Sequence, residues 1–320
     1  MKSILTLTVN PSIDINTEID RVVPEKKLRC APPTFEPGGG GINVTRAIKK
    51  LGGSSKAFYI AGGATGELLG DLLTQEGLDH RSIYTATRTR ESLIVFERST
   101  ERQFRFGLPG LPFATETWTD CLAQLAGLAP FPDFIIVSGS GVSGMPSDFY
   151  SSVAEVTREK GGHLVADSSG SDLKKLLNTN VFLIKPNLPE LREFSGRDLC
   201  DEIDIENEAK KIVQNSYAQV VVLSIGAAGA LYVTKSGQGR VRAPTVPIRS
   251  KVGAGDSMVA GIVLSLARGR EIEDAVMFGV ASGAAAVMTP GTELCRRNDA
   301  ENLYALLKAN RRKVRSISNI

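Results

Sequence analysis

Ser250-Lys251-Val252-Gly253-Ala254-Gly255-Asp256-Ser257-Met258 runs directly into an alanine-rich segment with helical periodicity. Consecutive small residues at a helix start aim free backbone N–H groups at one spot, and such a spot stabilises the charge spread over a transferring phosphoryl group. Asp256 falls in the first helical turn. An acid there serves equally well as a partner of the helix dipole or as a catalytic base, and this segment alone does not separate the two. No G-x-x-x-x-G-K-[ST] run occurs in the chain, so phosphate handling here calls for a fold other than the P-loop one.

Upstream, Gly38-Gly39-Gly40-Gly41-Ile42-Asn43-Val44-Thr45-Arg46-Ala47 places four glycines at the head of another apolar-periodic helix. A tight helix entry needs one or two. Four let the backbone approach a polar ligand, and Asn43 adds an amide that bonds hydroxyls. A third run, Gly139-Ser140-Gly141-Val142-Ser143-Gly144, follows a strand-like segment and formally matches the dinucleotide fingerprint, with Asp167 ending the next strand. Against that match, Met145-Pro146 separates the last glycine from the helix it should enter, and the strand series has already begun upstream.

Working outward, Ile4 to Val9 reads as a buried strand stopped by Asn10-Pro11, which delivers Asp14. Phe134–Ser138, His163–Ala166, Phe182–Ile184 and Val220–Ser224 are further buried strands among helical runs, the alternation of a doubly wound parallel sheet. Gly255 to Met288 forms two alanine-rich helices divided near Arg268-Gly269-Arg270, and a last helix begins near Asp299. Two polar stretches with interspersed β-formers, about 14–36 and 90–108, suit a small exposed sheet lying as a lid over the ligand edge. The tail after Lys308, with Arg311, Arg312, Lys313 and Arg315, reads as a frayed solvated end.

The composition excludes several classes of function. Lys and Arg number 38 against 35 Asp and Glu in 320 residues, which gives no electrostatic reason to invoke nucleic acid or a membrane surface. Cys30, Cys121, Cys200 and Cys295 are scattered, with two histidines in the whole chain, so a soft-metal site is not indicated and free thiols in a reducing cytosol are. The N-terminus has no basic leader, and no apolar run reaches membrane-spanning length; the expectation is a cytoplasmic protein.

Taken together, the two glycine segments resemble the paired signatures of the ribokinase-like (PfkB) carbohydrate kinases. The resemblance spans essentially the whole chain. It is carried by Phe35-Glu36-Pro37-Gly38-Gly39-Gly40-Gly41-Ile42-Asn43, Ala61-Gly62-Gly63-Ala64-Thr65-Gly66-Glu67, Val165-Ala166-Asp167-Ser168-Ser169-Gly170 and Val252-Gly253-Ala254-Gly255-Asp256-Ser257-Met258. Within the family these runs look most like the bacterial 6-phosphofructokinase branch. The resemblance implies an α/β doubly wound, mostly parallel sheet with helices on both faces, forming one domain over residues 1–320 with the lid segments as a small β subdomain. It also implies ATP-dependent, Mg²⁺-assisted phosphorylation of a sugar phosphate, with fructose 6-phosphate going to fructose 1,6-bisphosphate. Fructose 1-phosphate and tagatose 6-phosphate are the alternative acceptors, and an NAD-dependent oxidoreductase built on Gly139–Gly144 is the alternative from another class.

Residue by residue, the resemblance makes Asp256 the base for the sugar hydroxyl and the backbone of Gly253, Ala254 and Gly255 the anion hole. Asp14 and Asn43, with the backbone at Gly38 and Gly39, meet the sugar hydroxyls. Arg90, Arg105 and Ser138 meet the sugar's existing phosphate, whose oxygens suit guanidinium forks. On the nucleotide side, Asn187 and Glu190 organise Mg²⁺ through its waters, Lys185, Ser224, Gly226 and Gly229 face the ATP phosphates, and Val280, Gly283 and Ala284 border the adenine. By local pattern alone, Glu190 is a first-turn acid and the last three are helix packing. K⁺ is implied at a loop around Ser250, Val252, Ala286, Thr289, Gly291 and Glu293, although the family usually has a small residue where Lys251 stands. Lys27 and Arg29 lie in the lid loop that relatives use for a second, inhibitory MgATP, and lids of this kind clasp to form homodimers.

Overall fold

Apolar runs too short for a helix, such as Ile4–Thr8 and Phe134–Ser138, are buried at every residue, as strands covered on both faces must be. The computed structural model describes residues 1–168, 170–176 and 179–317; Ser169, quoted above, lies outside them. In chain order the first half reads β1 (Ile4–Thr8), β2 (Ser12–Ile19), β3 (Thr34–Gly38), α1 (Gly40–Lys50), β4 (Lys56–Ala61), α2 (Gly63–Gln75), β5 (Asp79–Tyr84), β6 (Arg90–Glu97), β7 (Arg102–Gly107) and α3 (Thr115–Ala126). The next stretch is β8 (Phe134–Ser138), α4 (Phe149–Glu159), β9 (His163–Asp167), α5 (Gly170–Lys175), β10 (Val181–Ile184), α6 (Leu188–Ser195), α7 (Glu202–Gln214) and β11 (Ala218–Ser224). Last come β12 (Ala230–Thr234), β13 (Gly237–Val241), α8 (Ala254–Ala267), α9 (Ile272–Val287) and α10 (Arg297–Ile317).

The main sheet has nine strands in the order β13-β12-β11-β10-β9-β8-β1-β4-β5, parallel from β11 to β5 and antiparallel at β12 and β13. From β1 the chain builds outward through β4 and β5, and then returns to the other side of β1 with β8. The order therefore reverses between β1 and β8, and the crevice beyond their carboxyl ends, Thr8 and Ser138, is where such sheets take ligands. Two large apolar clusters cover the two faces. One gathers α3, α4 and α7, and the other gathers α1, α8 and α9. Helices α8 and α9 touch closely because the contact is made of small residues: a Cβ built on Gly261 would fall 2.5 Å from Ser282 Oγ, and one on Gly279 would fall 2.4 Å from the Ile262 side chain. That close approach fixes the axis of α8, and with it the direction of its N-terminus.

A second sheet, β3-β2-β6-β7, stands beside the first. Its two halves join through a parallel pairing of β2 with β6, from Ser12 opposite Arg90 to Ile19 opposite Glu97. The sheet carries exposed Phe35, Leu93, Phe96, Phe104 and Phe106.

Two local readings change. The basic tail is helical to Ile317 as part of α10, where Tyr304 Oη donates to Asp274 (2.6 Å), Lys308 pairs with Asp274 (3.3 Å) and Arg311 pairs with Glu273. The acids at the start of α9 thus give Lys308 and Arg311 their partners. The dinucleotide alternative loses its structural basis, because α4 begins at Phe149, beyond Met145–Asp148, and no helix starts at Gly144. Among the described residues no helix is long and apolar enough to cross a membrane. All four cysteines are free thiols, with Cys121 and Cys295 buried and Cys30 and Cys200 exposed.

Candidate active site

Strand register assembles one side of the crevice. Ser138 stands opposite Asp167, and Ile184 stands opposite Ala166, so Lys185 emerges beside Asp167 at the same sheet edge. The Lys185 ammonium lies 2.8 Å from the Asp167 carboxylate, with the lysine almost wholly buried. Burial alone would lower the Lys185 pKa, yet Asp167, and behind it Glu190 and Asp256, hold it above its usual value. One strand further, Asn187 bridges to Ser224, whose hydroxyl donates to Pro186 O at 3.4 Å. Asn187 and Glu190 form a reciprocal capping box at the start of α6: Glu190 N donates to Asn187 Oδ1 (2.9 Å) and Asn187 N donates to Glu190 Oε2 (2.8 Å). Burial raises the Glu190 pKa. Gly226 opens an exposed turn at φ 55°, whereas Gly229 is buried, and a Cβ there would fall 2.0 Å from Val241 O.

The four-glycine run enters α1 across the switch point. Gly39 takes φ 109°, a conformation closed to side-chain-bearing residues, and its carbonyl accepts from Asn43 N at 2.8 Å. A Cβ on Gly38 would collide with the Asp14 carboxyl (2.5 Å), one on Gly40 with Ser138 Oγ and Gly139 N (2.5 and 2.6 Å), and one on Gly41 with Thr8 Oγ1 (2.4 Å). The absent side chains are thus replaced by the protein's own polar groups. Asp14 accepts from Ser12 Oγ at 2.7 Å; burial raises its pKa against the opposing pull of Ser12, Arg90 and Arg105. Arg90 reaches Asn10 O (3.4 Å) and Ser92 Oγ (3.2 Å), while Arg105 is exposed on β7 opposite Ile94.

At the head of α8, Gly253 caps the helix with φ 71°, and Ala254 and Gly255 follow in its first turn. A Cβ on Gly255 would meet only Lys185 Nζ, at 3.8 Å, so this glycine faces open space. Asp256 Oδ2 accepts from Asn43 Nδ2 at 3.0 Å, across 213 residues of sequence, which brings the two glycine segments into one cleft. Burial first and the Asp167 charge second push the Asp256 pKa up to about 7, against the opposing effects of Asn43, Lys185 and Arg105. A carboxyl poised there, with amides beside it, has the makings of a general base.

Val280 and Ala284 are buried in the packing of α9, and Gly283 lies against Ala254 O, 3.1 Å from where its Cβ would be. Ser250 and Val252 are half-buried, with Ser250 Oγ accepting from Val252 N at 3.2 Å, and Lys251 is exposed. Ala286 O accepts from Thr289 Oγ1 (2.7 Å), Gly291 has φ 58°, and the Glu293 carboxylate pairs with Arg296 (2.6 Å). Lys27 and Arg29 are exposed in the segment between β2 and β3. Asp167, the acid of the dinucleotide match, is instead the partner of Lys185; the sequence signal for it is a charge at the end of a buried strand on the ligand edge.

The family model for pfkB carbohydrate kinases matches residues 8–299. An ATP-dependent 6-phosphofructokinase isozyme 2 of Mycobacterium tuberculosis is 42% identical over 303 residues, 95% of this chain and 89% of its own. The crystal structure of phosphofructokinase-2 from Escherichia coli in complex with potassium is 38% identical, covers 96% of this chain and all of its own, and superposes with a TM-score of 0.93. The same enzyme in complex with fructose-6-phosphate superposes with a TM-score of 0.90 at the same identity and coverage of both chains. The α/β fold, the paired glycine segments and these relatives agree: the chain belongs to the pfkB family of carbohydrate kinases.

Proposed function

We propose that the protein transfers the γ-phosphoryl group of MgATP to the 1-hydroxyl of fructose 6-phosphate, giving fructose 1,6-bisphosphate and ADP. The observation that carries this reading is the Asp256–Asn43 hydrogen bond, because it sets a neutral-range carboxyl at the junction of the two glycine segments. Asp14 and Asn43, with the backbone at Gly38 and Gly39, hold the sugar hydroxyls. Arg90 and Arg105 take the 6-phosphate near Ser138, which explains a preference for a phosphorylated acceptor. As the 1-oxygen bonds to the γ-phosphorus and the bond to the ADP oxygen breaks, Asp256 accepts the hydroxyl proton. The amides of Gly253, Ala254 and Gly255 face the oxygens on which charge grows, and Lys185 supplies a fixed positive charge behind them. Ser224 and Gly226 lie along the triphosphate, Gly229 shapes their turn, and the α9 surface at Val280, Gly283 and Ala284 borders the base.

Among the described residues no cluster of three or more His, Cys, Asp or Glu side chains could hold a metal directly. Asn187 and Glu190, locked to each other but each keeping lone pairs, suit a water-mediated hold on the Mg²⁺ that accompanies ATP. K⁺ at the loop of Ser250, Val252, Ala286, Thr289, Gly291 and Glu293 would rest on backbone carbonyls, since the Glu293 carboxylate is taken by Arg296; the exposed Lys251 leaves room for it. The exposed apolar side chains of the small sheet, Phe35 (44%) and Phe106 (49%) among them, favour a homodimer joined there. Lys27 and Arg29 supply the basic groups for inhibition by a second MgATP.

An ADP-release assay over fructose 6-phosphate, fructose 1-phosphate, tagatose 6-phosphate and free fructose tests the reaction. The highest kcat/KM is expected with fructose 6-phosphate. Equal turnover of free fructose would remove the role given to the two arginines.

A further inference from the structure

Glu36 and Thr292 have no part in the chemistry above, yet they join its two halves. Glu36 stands directly opposite Asp14 in the β2–β3 pairing, two residues before the glycine on which the Asp14 carboxyl rests. Thr292 lies in the loop after α9, is buried, and its hydroxyl donates to Glu36 Oε2 at 2.6 Å across 256 residues of sequence. The neighbouring cation does not explain this contact. Arg46 is committed to Glu76 by contacts of 2.7–3.0 Å and comes only within 3.5 Å of Glu36, so the short bond of the Glu36 carboxylate is the one from Thr292.

The loop behind Thr292 presses on the catalytic turn. Leu294, buried and held at φ 66°, accepts from Thr289 Oγ1 through its carbonyl at 2.9 Å. Its side chain fills the space at Gly253, where a Cβ would fall 2.3 Å from Leu294 Cδ2. A leucine adopts a left-handed conformation only where its surroundings enforce it. A line therefore runs from Asp14 across the strand pairing to Glu36, through its hydrogen bond to Thr292, along the chain to Leu294, and by the Leu294 side chain to Gly253 at the head of α8.

We propose that the Glu36–Thr292 hydrogen bond is a strut that keeps the sugar-binding sheet in register with the anion-hole turn, making both of them positioning residues; this rests on the kinase reading given above. Each side of the cleft holds one substrate, and a misplacement of one against the other is felt in turnover more than in the binding of either alone.

The test compares Thr292→Val, which keeps the shape and loses the hydroxyl, with Thr292→Ser, which restores it, and Glu36→Ala with Glu36→Gln. Thr292→Val is expected to lower kcat with fructose 6-phosphate roughly tenfold while the KM for MgATP stays within about twofold, and Thr292→Ser should recover most of the loss. Thr292→Val combined with Glu36→Ala should be no slower than the slower single variant, as for two ends of one contact. Hydrogen–deuterium exchange on the unliganded proteins should show faster exchange in both 34–38 and 253–258 for Thr292→Val, and wild-type rates for Thr292→Ser. Unchanged kcat in Thr292→Val, equal losses in the Val and Ser variants, or additive losses in the double variant would overturn the strut. Should wild type phosphorylate none of the sugar phosphates, the kinase reading fails, and the exchange pattern alone still decides whether the strut exists. If Thr292→Val does not fold, Glu36→Ala against Glu36→Gln gives the same two comparisons.

Discussion

The glycines at 38–41 and Gly255 both stand at the heads of helices that open onto the same crevice, but what surrounds them differs; Gly253, whose side-chain space Leu294 fills, sides with the first group. At Gly38, Gly40 and Gly41 the space a side chain would need is taken by Asp14, by Ser138 with Gly139, and by Thr8. At Gly255 that space is open except for the Lys185 ammonium 3.8 Å away. The first run lets α1 descend onto the switch point of the sheet and presents Asn43 to the cleft. The second leaves backbone amides bare where phosphate oxygens would be. Glycine density thus measures how closely a backbone is approached, and only the structure says whether the approaching group is protein or ligand.

Substitutions can break this comparison. The largest effect is expected at the group both runs serve: Asp256→Asn should lower kcat by about 10²- to 10⁴-fold while leaving sugar and nucleotide affinities nearly intact, measured by steady-state kinetics and calorimetric titration. Next, Gly40→Ala should cost about 1–3 kcal/mol of stability in denaturant unfolding, because the methyl meets stiff backbone at Gly139. Gly255→Ala sharpens the contrast in the opposite sense. Its methyl sits in a helix without a clash, so stability should hold or rise by up to about 1 kcal/mol while turnover falls roughly tenfold. Loss of turnover at Gly40 with stability unchanged, or loss of stability at Gly255, would reverse the assignment of the two runs.

A separate effect concerns stability and pH. The Asp256 pKa is raised from 3.8 to about 7, so between these values the folded protein binds a proton that the unfolded chain does not. The stabilisation this represents is complete below 3.8 and is lost as pH rises through 7. Asp256→Asn should therefore gain Tm relative to wild type at pH 8 and gain less at pH 5, as thermal melts in matched buffers would show.

Much of this was legible in the sequence because it is written locally. The glycine runs, the absence of a P-loop, and short apolar strands such as Phe134–Ser138 need no knowledge of distant residues. What was not legible depends on register and on docking. The Lys185–Asp167 pair exists because β9 and β10 align Ala166 with Ile184, an alignment that neither segment encodes alone. Arg311 looked solvated because its acid partner, Glu273, lies on another helix. Antiparallel β13 extends the sheet edge without a strong apolar run, Gly237–Val241 having one buried residue. Glu190 illustrates a local signal with two meanings: the structure realises its capping role in full, and the same carboxylate borders the Lys185–Asp167 pair.

The most direct measurement is the ionisation of Asp256 itself, followed by carboxyl-carbon NMR in the free protein with the resonance identified by its loss in Asp256→Asn. A midpoint near 7 is expected if burial and Asp167 poise this carboxyl as the base between the two glycine runs. A midpoint at the ordinary value of about 4 would place Asp256 in water as a simple helix cap and contradict its assigned role.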